Sequence, residues 1–161
     1  EIRRNRQMVL DAIREDPKSL QFASNELLAD PSFVTSVLQE SRGNAFVVCS
    51  NRLGDEARQI VISTMVANIK DLKVQAGLAA VTALSHLAES GNQHAISAIS
   101  TCVGSRSLEM RREVAEALGR VAEVGDQQAV IAFRELLVDS CPDVRRAARE
   151  ALRAMGAWDE V

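Results

Sequence analysis

The chain has 161 residues, with 19 Lys or Arg against 22 Asp or Glu and a formal net charge of −3. That length suits one ordinary domain or a short repeat array, and the charge balance excludes a global basic field that would draw the chain to nucleic acid. Hydrophobic residues make up 47% but aromatics only 3%, with no Tyr, so the apolar mass is Ala, Leu, Val and Ile, suited to close helix–helix packing. No apolar run reaches the roughly 18 residues needed to span a bilayer. Cys49, Cys102 and Cys141 are odd in number and lack C-x-x-C pairing, which argues against a disulfide framework or a zinc site and fits a reducing compartment. No signal peptide is visible. The expectation is an intracellular soluble or peripheral protein, its start at Glu1 without Met leaving room for a removed leader.

In chain order, residues 1–54 follow a weak rhythm. Met8-Val9-Leu10 and Phe33-Val34-Thr35 match at a step of 25, and Ser24-Asn25 and Ser50-Asn51 at 26. Asp16-Pro17 and Asp30-Pro31 each read as an Asp N-cap with Pro at the first helical position. Four short helices are predicted, near 3–15, 17–28, 31–41 and 44–53. Beyond residue 54 the rhythm tightens. Val61, Ile62, Met65 and Ile69 mark a helix at about 56–70. Leu84, Leu118 and Leu152 then recur at a step of 34, and their neighbours keep the same register. Ala76, Ala80, Ala83, Leu84 and Leu87 form one apolar stripe, and Met110, Val114, Ala117, Leu118 and Val121 repeat it. Val144, Ala148, Ala151, Leu152 and Met155 repeat it again. Between these helices Asn92 and Asp126 follow Gly91 and Gly125 as N-caps. The helices they open carry Ala95, Ile96, Ile99 and Val103, or Ala129, Val130, Phe133 and Leu137, and Cys102 takes the place of Leu136 as a core residue. A fixed period of this size marks stacked helical repeats, which usually present an extended surface to a partner. The expected divisions are 1–54, then repeats at 55–91, 92–125 and 126–156, then a tail at 157–161. With no sizeable linker between them, they read as one continuous all-α solenoid of about ten helices.

The segment P-D-V-R-R-A-A-R-E-A-L-R-A-M-G resembles the second helix of a HEAT-like repeat, of the short type found in phycobilisome-lyase-like proteins. L-E-M-R-R-E-V-A-E-A-L-G-R-V-A and V-Q-A-G-L-A-A-V-T-A-L-S-H-L-A are similar but progressively less faithful. The resemblance covers about residues 55–156. It implies a scaffold, adaptor or bilin lyase, since such repeats occur in all three. Tetratricopeptide repeats share the period, but their Trp, Gly-Tyr and Pro signature positions are missing here. Residues 7–54 resemble tandem copies of a short helical repeat of unknown function from protist and bacterial proteins, through the hydrophobic triplet and the L-Q-F-A-S run at 20–24.

Opposite the apolar stripe each second helix carries a four-residue row. The rows are Leu78, Val81, Thr82 and Ser85; Arg112, Ala115, Glu116 and Gly119; and Arg146, Arg149, Glu150 and Arg153. If these helices line an inner surface, as the HEAT resemblance implies, the groove runs from apolar to basic. Such a groove would receive an amphipathic helix or tail with an acidic end. The competing view is a solvated Arg face, with Leu78 and Val81 covered by the N-terminal helices. Arg111 and Arg145 flank the stripe, and the resemblance gives them a structural role tying adjacent repeats. Trp158, the chain's one Trp, either covers the last repeat or anchors a partner. Arg3, Arg4 and Arg6 form a small basic cluster without aromatics for base stacking, so nucleic-acid binding is a minor alternative. His86 and His94 belong to no motif, and no phosphate loop or metal signature is present. The expectation is a non-enzymatic scaffold, adaptor or complex subunit. It would bind protein through Leu78, Val81, Arg112, Arg146, Arg149, Arg153 and Trp158, with no cofactor, metal or catalytic residue. A bilin-lyase-like or pigment-assembly role is the alternative.

Overall fold

Several helix starts of this chain are written in side chains that accept hydrogen bonds from their own first turn. The computed structural model describes residues 2–158, except the side chains of residues 2–5, 68 and 71. The described secondary structure is entirely helical. It comprises α1 (Ile2–Glu15), α2 (Asn25–Leu28), α3 (Pro31–Ser41), α4 (Asn44–Cys49), α5 (Asp55–Asn68), α6 (Val74–Leu87), α7 (Gln93–Ser100), α8 (Leu108–Val121), α9 (Gln127–Leu137) and α10 (Pro142–Met155), with 3₁₀ helices at Pro17–Phe22 and Ile69–Asp71. The fold is all-α. Asp30 Oδ1 accepts from Ser32 N at 2.9 Å, Asn92 Oδ1 from Ala95 N at 3.0 Å, and Asp126 Oδ1 from Ala129 N at 2.9 Å. Each satisfies a donor that the helix itself leaves unpaired. Gly91 and Gly125 hold φ of +79° and +83°, a backbone that side chains resist, and this turns the chain from one helix into the next cap.

Three expected elements differ. The helix predicted over 17–28 is broken, because Ala23 and Ser24 are extended and Ser24 Oγ accepts from Leu27 N to open α2 afresh. A serine able to cap offers the backbone an alternative to continuing the helix. The helix predicted over 44–53 stops at Cys49. The third, α7, ends at Ser100 where its counterpart α9 continues to Leu137. Cys102, which the repeat step aligns with fully buried Leu136, therefore lies half-buried in a turn.

Two compact units result, Glu1–Leu87 and Ala88–Val161. In the first, α5 packs on α2 and α3, and α6 packs on α3 and α4. The helical pair α5–α6 thus shares a core with the N-terminal helices, around fully buried Phe33, Phe46, Leu28 and Met65. Arg14 ties α1 to α3 by a fork, Nε and Nη2 each donating to a Glu40 oxygen at 2.7 Å.

In the second unit α7 and α9 pack together, α8 and α10 pack together, and each layer covers the other. The apolar stripe does this. Met110, Val114, Ala117, Leu118 and Val121 are all buried on α8, as are Val144, Ala148 and Leu152 on α10. Each fully buried Val or Leu contributes roughly 1.5–3 kcal/mol, against about 0–1 kcal/mol for an exposed ion pair, so the stripe decides the fold. The approach of α10 to α8 is close enough that a Cβ on Gly119 would lie 2.8 Å from the Cβ of Ala151.

That closeness is testable. Alanine favours a helix interior by about 1 kcal/mol over glycine, but overpacking costs about 1–3 kcal/mol. Gly119→Ala is expected to lower urea-unfolding stability by about 1 kcal/mol, and adding Ala151→Gly should return it close to the parent. A stabilised Gly119→Ala chain would contradict the packing.

Candidate partner-binding face

Arg111, near the start of α8, is set by its own preceding loop. Its Nη1 donates to the carbonyls of Ser105 at 2.8 Å and Arg106 at 3.4 Å. The free edge of the guanidinium then meets the next helical pair. Nε donates to Asp139 Oδ2 at 2.6 Å and Nη2 to Asp139 Oδ1 at 3.0 Å. Asp139 also accepts from Cys141 N at 2.8 Å, fixing the loop that opens α10. The Arg111 fork holds the Asp139 carboxyl below the usual range despite its burial, and Asp139 raises Arg111 in turn. A planar two-bond pair with side chains 16% and 10% exposed is stronger and more directional than a surface contact. Arg145 repeats the first half of this arrangement. Its Nη1 donates to the carbonyls of Asp139 and Ser140, each one repeat step beyond the acceptors of Arg111.

The rows expected to lie opposite the stripe behave differently on each helix. Val81 is completely buried, Ser85 is 7% exposed and Leu78 is half-buried, so the α6 row belongs largely to the core of the first unit, where α3 and α4 pack on α6. The apolar end expected of the groove is therefore closed, and Val81 is withdrawn as a contact residue. On α8, Ala115 is completely buried and Gly119 faces Ala151 of α10. Positions that sequence placed on an outer face are in fact where one helical pair receives the next. Only on α10 is the whole row open. Arg146, Arg149 and Arg153 are all exposed, as is Arg112 on α8.

Their partners are few. Arg146 Nη2 donates to Asp143 on its own helix at 2.8 Å, and Arg112 lies 3.6 Å from Glu116. Among the described residues Arg149 has no ion-pair partner. Arg153 stands over the Trp158 ring, 5.4 Å from its centroid, an arrangement in which the ring face attracts the cation. Trp158 remains 45% exposed, so it neither seals the face nor leaves it bare. Beside the row runs a groove of roughly 290 Å³ floored by Gly119, Ala147, Ala151 and Ala154, with Glu116, Arg120 and Glu150 at its rim.

Other candidate residues gather into no site. His86 and His94 are both exposed on their respective helices. Among the described residues no group of three His, Cys, Asp or Glu is placed to hold a metal, and no helix is long and apolar enough to cross a membrane. Burial pushes the Cys49 thiol up, and its Sγ faces the carbonyls of Pro17 and Lys18, the setting of an unreactive thiol. The basic cluster at the chain start divides. Arg6 is held by Asp30 at 3.1 Å and by the hydroxyls of Ser32 and Ser36, while the side chains of Arg3 and Arg4 lie outside the described residues. Asp139 is the residue the sequence reading missed. Its signal is the substitution of aspartate for Ser105 at the same register, in the loop before the arginine that both repeats share.

Comparison with known families agrees with this geometry. A model of HEAT repeats matches residues 73–153, just over half of the chain. The chain belongs to the HEAT-repeat family. A Domain of unknown function (DUF4116) matches residues 5–53, in line with the short N-terminal repeats. No curated protein matches the chain. HEAT repeats commonly mediate protein–protein interaction and typically act as scaffolds.

Because the folded Asp139 carboxyl is held below its unfolded value near 3.9, its contribution to stability is complete above that pH. It is lost as pH falls through the lowered folded value. Asp139→Asn is expected to cost about 1–3 kcal/mol at neutral pH and to flatten the acid limb of a stability–pH profile. An unchanged acid limb would show that the pair adds nothing.

Proposed function

We propose that the chain is a non-enzymatic scaffold or adaptor that captures an acidic protein surface on the exposed face of α10. The observation that carries this is the contrast between equivalent positions: α8 buries Ala115 and turns Gly119 against Ala151 of α10, while α10 exposes Arg149 and Arg153 there. Arginine is suited to the task because its fork matches a carboxylate in two bonds. Arg146, Arg149 and Arg153 fall at i, i+3 and i+7, so one partner strip can meet all three. Trp158 supplies apolar area beside them, as an aromatic anchor does in many interfaces. Arg112 extends the same charge onto α8, and Leu78 is left without a role in this contact. The repeat divisions at 55–91, 92–125 and 126–156 belong to this proposal, as does membership of a larger assembly.

The test is affinity purification from the native source with parent and Arg146→Glu, Arg149→Glu, Arg153→Glu chains side by side. Since all three side chains are exposed, the thermal midpoint should be unchanged while captured partner falls by about tenfold or more, as opposed charges become like charges. Equal capture by the two chains removes the reading.

A further inference from the structure

Serines of α3 and α5 return their hydroxyl proton to the preceding turn of their own helix. Ser36 gives it to the Ser32 carbonyl at 2.8 Å, Ser41 to Val37 at 2.7 Å and Ser63 to Ile60 at 2.9 Å. Ser100, the last residue of α7, does not: its Oγ is buried and has no hydrogen-bond partner. Such a group lowers stability, so it calls for a compensating use. Ser100 lines a groove of roughly 260 Å³ between α7 and α9. Gln128 Nε2 donates to Ser97 Oγ at 3.3 Å across it. Both walls lie within the second compact unit, so the groove is complete in itself.

The polar atoms of the groove are acceptors in want of a donor. Thr101 gives its hydroxyl proton to the Ala98 carbonyl at 2.7 Å, leaving Oγ1 to accept. Gln128 spends an N–H on Ser97 and keeps its Oε1. Glu135 is exposed and has no ion-pair partner among the described residues. The groove also sits at the carboxyl-terminal end of α7, the negative end of a helix. No basic residue lies in that last turn, whereas α9 has Arg134 in its own, one repeat step after Ser100. Val103, Ala132 and Ile131 supply the apolar lining, with Ile131 58% exposed.

We propose that the α7–α9 groove receives an arginine side chain of a partner protein. The guanidinium fork closes on the Glu135 carboxylate, and its remaining N–H groups meet Thr101 Oγ1 and Gln128 Oε1. Ser100 turns its hydroxyl between staggered wells to accept as well. The methylene stem lies along Val103, Ala132 and Ile131, as the stems of long basic side chains do on apolar surface. Arginine fits better than lysine, because these acceptors outnumber the three donors of an ammonium and a planar fork matches a carboxylate in two bonds. The site is opposite in charge to the α10 row, lies on the other helical layer, and does not rest on that reading.

The probe is N-acetyl-arginine N-methylamide, titrated into the isotope-labelled full chain and followed by backbone amide NMR. Saturable shifts should gather at 97–103 and 128–135. Glu135→Gln should weaken binding by about tenfold or more. Ser100→Ala is the sharper variant. It removes a hydroxyl without a partner, so the thermal midpoint should rise by a few degrees, while binding weakens by about threefold or more. A serine with only a structural role would move the midpoint alone. The lysine analogue should bind more weakly, and free arginine no more tightly than the capped probe. The inference is overturned by an absence of saturable shifts, by shifts gathered elsewhere, or by binding that both variants leave unchanged. Equal binding of the lysine analogue overturns the choice of arginine, and tighter binding of free arginine would make the occupant a metabolite. A lowered midpoint in Ser100→Ala also counts against it, since the hydroxyl would already be satisfied. A concentration-dependent dimer of the unmodified chain in sedimentation, lost in Glu135→Gln, would place the arginine on a second copy and overturn the partner protein.

Discussion

The second unit depends on how closely α10 approaches α8. Two helices can bury a stripe made of Ala, Val, Leu and one Met only if small residues let their backbones come near, and Gly119 against Ala151 is that point. Aromatics, which reach across wider gaps, are scarce in this chain, so separation cannot be made up by side-chain size. Burial then follows along the stripe of α8 and, on α10, at Val144, Ala148 and Leu152. The same closeness brings the loop before α10 to Arg111, where Asp139 completes a two-bond pair that fixes the register. Packing supplies most of the energy, and the pair selects one arrangement from the several that an Ala-rich face would tolerate.

Much of this was legible in the residues. Asp and Asn followed by a helix, and Gly before them, mark starts and stops because those side chains and that backbone freedom have specific uses. The observed caps at Asp16, Asp30, Asn92 and Asp126 are the expected ones. The stripe at Val114, Leu118 and their counterparts was legible for the same reason, since a helical period leaves one face of a helix apolar. The HEAT resemblance and the short N-terminal repeats also hold.

What escaped depended on neighbours distant in sequence. For Val81 the residues left two readings open, a groove contact or a position covered by the N-terminal helices, and only the packing of α3 and α4 on α6 decides for the second. Ala115 and Gly119 were read as an outer row because a helical wheel shows two faces, whereas a helix between two others has three. The break at Ala23–Ser24 turned on a serine whose capping use competes with helix continuation. Asp139 lay in plain view, but only the geometry of Arg111 gives an aspartate in that loop its meaning.

The two helices differ in one further respect: Arg111 on α8 is engaged by a carboxylate, while its equivalent on α10, Arg145, meets none among the described residues. The most direct measurement is the solvent exchange of the two Nε–H protons by NMR in the isolated chain. Arg111 Nε–H should exchange slowly, held by Asp139, and Arg145 Nε–H should exchange as a solvent-accessible group does. Equal protection of both would mean that Arg145 is already satisfied and that α10 offers no open carboxylate socket.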